Sequence, residues 1–203
     1  MAHRAAKEPN RIDTPLNMAA LNGHLDVVQY LVSRGAQVEK GGNDGQTPIH
    51  CASYGGHLEV VQYLVRRGAR VEIGGIDGQA PIHCASRNGH LQVVQYLVSR
   101  GARVEIGGND GQTPIHCASS GGHLHVVQYL VSRGARVEIG GNDGQTPIHC
   151  ASSGGHLHVV QYLVSRGARV EIGGNDGQTP LHCASRNGHL DVVQYLVSRG
   201  AHF

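Results

Sequence analysis

The feature that most constrains this chain is a repeat of 33 residues. The string DGQTPIHCAS begins at Asp44, Asp110 and Asp143, and close variants begin at Asp77 and Asp176. Self-similarity at a fixed period of this length is typical of solenoid proteins, in which each repeat is one supersecondary unit. We therefore divide the chain into an N-terminal extension, residues 1–10, and a single repeat domain, residues 11–203, with repeats at 11–43, 44–76, 77–109, 110–142, 143–175 and 176–203.

One unit, residues 44–76, predicts two short helices and a hairpin. Thr47-Pro48 suits a helix start, because Thr is a good N-cap and Pro lacks only an N–H that the first turn leaves unpaired. Gly55-Gly56 ends that helix. Residues 57–67 predict a second helix, whose apolar residues fall at helical spacing: Leu58, Val61, Leu64 and Val65. Residues 70–73 alternate polar and apolar, and we expect them to be extended.

Helices of this length are unstable alone in water. A single unit also cannot bury its own apolar stripe. Stacking the units side by side buries each stripe against its neighbours and produces an elongated core with contacts only between adjacent repeats. The first copy differs from the interior, with Asn17 standing where later copies have His, whereas the last copy keeps the interior pattern. We expect the first copy to be a modified cap and residues 189–203 to exchange amide hydrogens first.

The fourth unit shows the motif most fully, in Asp110-Gly111, Thr113–His116, Gly122-His123, Val126-Val127 and Gly134-Ala135. These residues resemble the ankyrin repeat, and the resemblance covers about residues 11–202. It implies an all-α repeat fold, a right-handed elongated solenoid of helix-turn-helix units with short β-hairpin fingers. One departure is that Cys or Met stands where the family usually has Leu, at Met18, Cys51, Cys84, Cys117, Cys150 and Cys183.

The resemblance also implies a function, that of a non-catalytic protein–protein interaction scaffold. In such proteins the end of the first helix and the hairpin line a concave groove that contacts the partner. The eleventh position of each unit varies along this chain, and Tyr and Arg are frequent interface anchors. Carried onto this sequence, the partner-binding residues are Gln46, Tyr54, Arg70, Gln79, Arg87, Arg103, Gln112, Ser120, Arg136, Gln145, Ser153, Arg169, Gln178 and Arg186.

Two other functions remain open at this stage. The first is binding of a polyanion or nucleic acid by an Arg row in the hairpins: Arg70, Arg103, Arg136 and Arg169. Each of these Arg residues has a Glu two residues on, which on a strand faces the same way, so the alternative for this row is a paired or solvated ladder. The chain could also be a structural spacer, because repeats 110–142 and 143–175 are identical. The balance of 17 basic against 15 acidic residues argues against a dedicated nucleic-acid or membrane-surface protein.

Metal, disulfide and catalytic chemistry are not expected. His83-Cys84 recurs in five copies, but zinc needs four converging ligands, and units stacked roughly 8–10 Å apart keep neighbouring copies separate. The same separation exceeds the reach of a disulfide. We interpret both His rows as backbone hydrogen-bonding groups and the Tyr row as packing between repeats. We predict neither a cofactor nor an enzyme active site.

No apolar stretch approaches the ~20 residues that cross a bilayer, and the first residues lack a signal-peptide pattern. We therefore expect a cytoplasmic protein, with the nucleus as the alternative, and no membrane partner. The expected oligomeric state is a monomer. The sixth copy keeps the apolar pattern of an interior unit, Val192-Val193 and Leu196-Val197, which leaves end-to-end association as the alternative.

Overall fold

The computed structural model describes residues 14–202; the predicted N-terminal extension, residues 1–10, lies outside them. The described residues form helices in pairs, one pair per repeat. Their bounds are α1 Pro15–Leu21, α2 Leu25–Ser33, α3 Pro48–Gly55, α4 Leu58–Arg66, α5 Pro81–Arg87, α6 Leu91–Ser99, α7 Pro114–Ser120, α8 Leu124–Ser132, α9 Pro147–Ser153, α10 Leu157–Ser165, α11 Pro180–Arg186 and α12 Leu190–Ser198.

The second repeat shows why the chain forms these pairs. Thr47 is the N-cap of α3 and Pro48 its first residue, as predicted. Gly56 ends α3 with a left-handed backbone, φ 76°, and a side chain there would overlap the ring of His90 in the next repeat. Glycine is therefore required both by the turn and by the neighbour that packs on it.

The helices stack in two rows. The first helices of successive repeats contact one another in order, and so do the second helices. We call these rows the inner helices (α1, α3, α5, α7, α9 and α11) and the outer helices (α2, α4, α6, α8, α10 and α12). One continuous apolar core runs between the rows, and it includes the fully buried Ile82 and Leu97. This arrangement confirms the predicted all-helical solenoid with its shared interior.

The loops between repeats differ from the prediction in one respect. Residues 70–73 were expected to be extended, but Val71-Glu72 is a turn, and no strand occurs anywhere in residues 14–202. The finger is instead a turn at its tip, where the Gly78 N–H donates to the Gly75 carbonyl at 2.9 Å and the Gly75 N–H donates to the Gln79 carbonyl at 3.1 Å. Two glycines before the tip leave few side chains to sustain strand pairing.

Histidines join each repeat to the next. The backbone N–H of Thr47 donates to His50 Nδ1 at 3.1 Å, so the neutral ring carries its proton on Nε2, which donates to the Gln79 carbonyl at 3.0 Å. We call the residues that make this bond the forward histidines: His50, His83, His116 and His149. Asn17 makes the equivalent hydrogen bond in the first repeat, where its Nδ2 donates to the Gln46 carbonyl at 3.0 Å.

A second set of histidines points the other way. His57 Nε2 donates to the carbonyl of Leu21, at the end of the preceding inner helix, at 2.8 Å. The same bond recurs in later repeats, and we call its donors the backward histidines: His57, His90, His123, His156 and His189. Both sets were predicted to bond nearby backbone; the acceptors lie in the adjacent repeats, so these bonds fix the stacking register.

Candidate functional site

The variable eleventh position of the unit lies at the end of each inner helix. We call it the variable row: Tyr54, Arg87, Ser120, Ser153 and Arg186. At the four members from Tyr54 to Ser153 the backbone carbonyl is held by a backward histidine of the next repeat, as in the 3.0 Å bond from His123 to Arg87. The backbone is thus fixed while the side chain is free to differ, which is the arrangement that a recognition surface on a rigid scaffold requires.

The Gln row occupies the start of the inner helices. The carbonyl of each of these residues from Gln46 to Gln178 accepts a bond from the preceding repeat. The backbone N–H donates to the Asp two residues earlier, as from Gln46 to Asp44 Oδ1 at 2.9 Å. The backbone of the Gln row therefore joins adjacent repeats. The half-buried side chains of the row line the same face as the variable row: Gln46, Gln79, Gln112, Gln145 and Gln178.

Two members of the variable row reach back to the Gln row. Arg87 Nη2 donates to Gln79 Oε1 at 2.9 Å and lies 3.4 Å from Cys117 Sγ in the next repeat. Arg186 makes the equivalent contact with Gln178. The structure thus brings the predicted Gln and Arg residues together in the third and sixth repeats, but the Ser residues of the fourth and fifth are too short to reach.

The cysteines lie beneath this surface and are shielded by it. Cys117, which Arg87 Nη2 contacts, is 1% exposed, and Cys150 is half-buried. Burial raises the pKa of Cys84 to about 12, so its thiol stays protonated at neutral pH. None of the five cysteines, all of which lie within residues 14–202, forms a disulfide. Buried, protonated thiols of this kind act as packing groups.

The predicted Arg row is tied into an ion-pair ladder on the loops. Arg70 Nε lies 2.9 Å from Glu39 of the preceding repeat, and the three later members pair in the same way, Arg103 with Glu72, Arg136 with Glu105 and Arg169 with Glu138. The paired alternative was correct, but the partner is 31 residues earlier and not two residues later. The turn at Val71-Glu72 directs the two side chains of one repeat to different neighbours.

The ladder also binds main chain. Glu39 Oε1 accepts from the Arg70 backbone N–H at 2.8 Å as well as from its guanidinium. Partial burial alone would raise the pKa of the Glu39 carboxyl, but these two donors outweigh it and hold the pKa below its ordinary value. The carboxylate therefore stays charged, and the ladder's Arg residues have a bound counter-charge. None of them contacts the variable row through any interaction in the described part of the chain.

Sequence reasoning missed one residue on this face. Ile76 lies at the tip of the loop before the third repeat and is 69% exposed. Later repeats carry Asn there, and their side chains form a chain of bonds along the tips, such as Asn142 Nδ2 to the Asn109 carbonyl at 2.9 Å. The signal was present as IDG in place of NDG, but a single apolar residue in a Gly-rich loop does not stand out in a sequence.

Across 14–202, no group of three or more His, Cys, Asp or Glu side chains could hold a metal ion. The helices in this range all lack the length and apolar character that crossing a bilayer requires.

The chain is similar to known ankyrin repeat proteins in both sequence and structure. A family model described as "Ankyrin repeats (3 copies)" matches residues 3–75, 71–141 and 136–203. Among solved structures, the human ASB11 ankyrin repeat domain is similar to this chain, with a TM-score of 0.82 and 27% sequence identity, over 94% of this chain and 85% of that one. No curated protein matches the sequence significantly.

Proposed function

The chain belongs to the ankyrin repeat family, whose repeats are generally protein–protein interaction modules, and we propose that it is a non-catalytic scaffold that binds a protein partner through the variable row and the loop tips. The proposed contact surface consists of the variable row, the Gln row beneath it and the tips next to it. The ladder residues Arg70, Arg103, Arg136 and Arg169 border this surface.

One observation carries the proposal. Between residues 44 and 175, which are all described, only two large apolar side chains are exposed: Tyr54, 43% exposed, and Ile76, 69% exposed. Both stand at positions where the repeats differ, and Arg87 follows in the next inner helix. Interfaces draw most of their affinity from a few aromatic, Arg and apolar anchors that lose water on binding. We therefore place the centre of partner binding in the second and third repeats.

The remaining parts of the proposal concern the state of the protein. Five cysteines that form no disulfide fit a reducing compartment, and we propose a cytoplasmic location, with the nucleus as the alternative. We propose a monomer, with end-to-end association through the sixth repeat as the alternative; sedimentation at several concentrations separates the two states.

Affinity capture from the source cell tests the proposed surface. The bait is the wild-type chain, the double variant Tyr54→Ala/Arg87→Ala, or a matched control, Gln95→Ala/Gln128→Ala, on exposed positions of the outer helices. Proteins retained by wild type and control but lost by the Tyr54/Arg87 variant would support the surface. Equal capture of every protein by all three baits would show that these residues do not bind a partner, and would favour a structural spacer.

The polyanion alternative loses support at the Arg row first suggested for it. Each ladder Arg already has a carboxylate within 2.7–3.1 Å, so a phosphate would have to displace an existing partner.

A further inference from the structure

A different row of arginines has no such partner. The C-cap of each outer helix, the residue that follows its last helical residue, is Arg in all six repeats, and we call this set the Arg stripe: Arg34, Arg67, Arg100, Arg133, Arg166 and Arg199. All six side chains are exposed. Because they recur once per repeat on stacked helices, they form one line along the solenoid. A positive side chain is favourable at a helix C-terminus, which accounts for the residue type at each position.

The positive charges of the Arg stripe have no carboxylate partner in the described residues. In residues 14–202, none of its side chains makes a hydrogen bond or an ion pair, and the one ring contact is Arg67 over Tyr63 at 6.0 Å. The ladder Arg residues, only three positions further along the chain, each hold a Glu. Two rows of equal spacing therefore differ in charge balance: the ladder is neutralised and the stripe is not.

The acidic residues that balance the chain lie elsewhere. One Asp per loop stands next to the tip, and its Oδ1 accepts from a Gln backbone N–H two residues on: Asp44, Asp77, Asp110, Asp143 and Asp176. Nine residues of loop lie between Arg67 and Asp77, and the same spacing recurs in each of the first five repeats. The formal net charge of +2 therefore hides a basic line and an acidic line on one molecule.

We propose that the Arg stripe binds an extended acidic segment of a protein, with a carboxylate at every third residue. Helices packed side by side lie roughly 8–10 Å apart, which sets the spacing of the guanidinium groups. A polyproline II chain has three residues per turn and advances ~9 Å in that turn, so its residues i, i+3 and i+6 face one side at the same spacing. The planar guanidinium group binds carboxylate with two parallel hydrogen bonds.

A nucleic-acid duplex matches this line less well. Its phosphates follow one another every ~3.4 Å along a strand, so every third phosphate matches the spacing of the Arg stripe in distance along the axis. Three steps, however, turn a duplex through roughly 100°, which carries the next phosphate off the line. The period of the peptide coincides with that of the solenoid in both distance and direction, and this coincidence favours the peptide.

The stripe is separate from the variable row, which supplies the main anchors of the partner surface proposed above. The two helices of a repeat run antiparallel, so the end of an outer helix and the end of its inner helix lie at opposite ends of the pair. Arg100, the C-cap of α6, and Arg87, the last residue of the inner helix α5 of the same repeat, thus lie at opposite ends of the pair. The inference does not depend on the proposed function and would survive its failure.

Direct binding of two labelled peptides tests the spacing. The first is a 15-residue peptide of five Glu-Pro-Pro units; the second has the same composition with its five Glu residues in one block. Fluorescence anisotropy at 50 mM NaCl measures both. We expect the spaced peptide to bind about tenfold more tightly, because only its carboxylates meet successive guanidinium groups. Equal affinity for the two peptides would overturn the proposed register.

Matched variants test the location. Arg100→Gln/Arg133→Gln removes two charges from the stripe, and Arg87→Gln/Arg186→Gln removes two from the variable row. We expect the first to weaken binding of the spaced peptide roughly tenfold and the second by less than about twofold, since each exposed contact contributes a factor of a few. Equal losses would place the peptide elsewhere or show a nonspecific charge effect, and either result would overturn the proposal.

Two further measurements complete the test. Arg100→Lys/Arg133→Lys keeps charge and exposure but cannot form the paired hydrogen bonds, and we expect an affinity between those of wild type and the Gln variant. Circular dichroism confirms that each variant is folded. A 15-base-pair DNA duplex that binds more tightly than the spaced peptide, and loses affinity in Arg100→Gln/Arg133→Gln, would assign the stripe to nucleic acid and overturn the peptide.

Discussion

The fourth repeat and the sixth have nearly the same inner-helix sequence, yet their side chains meet different surroundings. His116 is 1% exposed and donates to the Gln145 carbonyl of the next repeat at 3.1 Å. Its counterpart His182 is exposed and bonds only within its own helix start, to Thr179. The sixth repeat packs against one neighbour where the fourth packs against two. A side chain of an inner helix in this fold is therefore buried by the neighbouring repeats, and its own repeat alone does not bury it.

The same contrast applies to apolar and hydroxyl groups. Leu190 is 66% exposed in the sixth repeat, while its counterparts in the interior pack against the core. Ser119 is fully buried and its Oγ has no hydrogen-bond partner, whereas the equivalent Ser185 is exposed. Substitutions made in pairs, one interior and one terminal, thus isolate what a neighbouring repeat contributes.

The largest difference should come from the apolar core. Leu97→Ala removes a fully buried side chain from the third repeat and should destabilise the protein by about 2–5 kcal/mol. Leu190→Ala acts on an exposed side chain and should cost less than about 1 kcal/mol. Urea unfolding followed by circular dichroism compares the two. An unchanged midpoint for Leu97→Ala would contradict a core shared between repeats.

The forward histidines should show the next largest difference. His116→Ala leaves the Thr113 N–H unpaired in a buried site and removes a bond to the next repeat, at a cost of about 1–3 kcal/mol. His182→Ala should cost less than about 0.5 kcal/mol. His116→Asn should recover part of the loss, because Asn17 makes the forward bond in the first repeat. Equal costs at both sites would show that the inter-repeat bond contributes no stability.

The forward histidines also predict how stability depends on pH. Burial lowers the pKa of His50, His83, His116 and His149 below the ordinary value of 6.5. Above pH 6.5 both folded and unfolded chains keep these rings neutral, so the stability is fully present. Below it the unfolded chain takes up protons that the folded chain does not, and stability falls until the folded-state pKa values are reached.

Urea midpoints between pH 7.5 and pH 5 measure this fall. His116→Asn removes one of the titrating rings and should make the dependence on pH shallower than in wild type. A midpoint that stays constant through this range would mean that the buried rings accept protons in the folded state.

The smallest difference concerns the buried hydroxyls. Ser119→Ala removes an Oγ without a partner and introduces a better helix former, which should stabilise the protein by about 0.5–1 kcal/mol. Ser185→Ala changes only helix propensity and should gain less. Thermal unfolding of the two variants resolves the difference, and destabilisation by Ser119→Ala would reveal a hydrogen bond to solvent.

The helices could be predicted from the sequence because their signals are local. Thr47-Pro48 starts a helix and Gly55-Gly56 ends it, whatever lies beyond. The finger at residues 70–73 was predicted wrongly, because an alternating pattern of four residues among glycines is too short to distinguish a strand from a turn. The repeat period then determined the stack, since a unit with one apolar stripe has no other way to bury it.

The contacts between repeats were beyond prediction. The sequence shows that Arg103 recurs with a Glu two residues on, but only coordinates show that its partner is Glu72 of the preceding repeat. A strictly periodic chain offers the same residue in every neighbour, so spacing alone cannot identify the one in contact. The shielding of Cys117 by Arg87 was hidden for the same reason. Ile76 was missed because its importance lies in the exposure of its side chain to solvent, which the sequence alone does not reveal.

The forward and backward histidines have a consequence for how such a gene can change length. Each bond of these two histidine sets joins residues at a fixed offset, so deleting or copying one whole interior unit recreates both bonds at every junction. A tandem duplication of 33 codons is then structurally silent, whereas a one-codon insertion in an inner helix would misalign both of its junctions. Whole-unit copying would produce adjacent identical repeats, and residues 110–142 and 143–175 are such a pair.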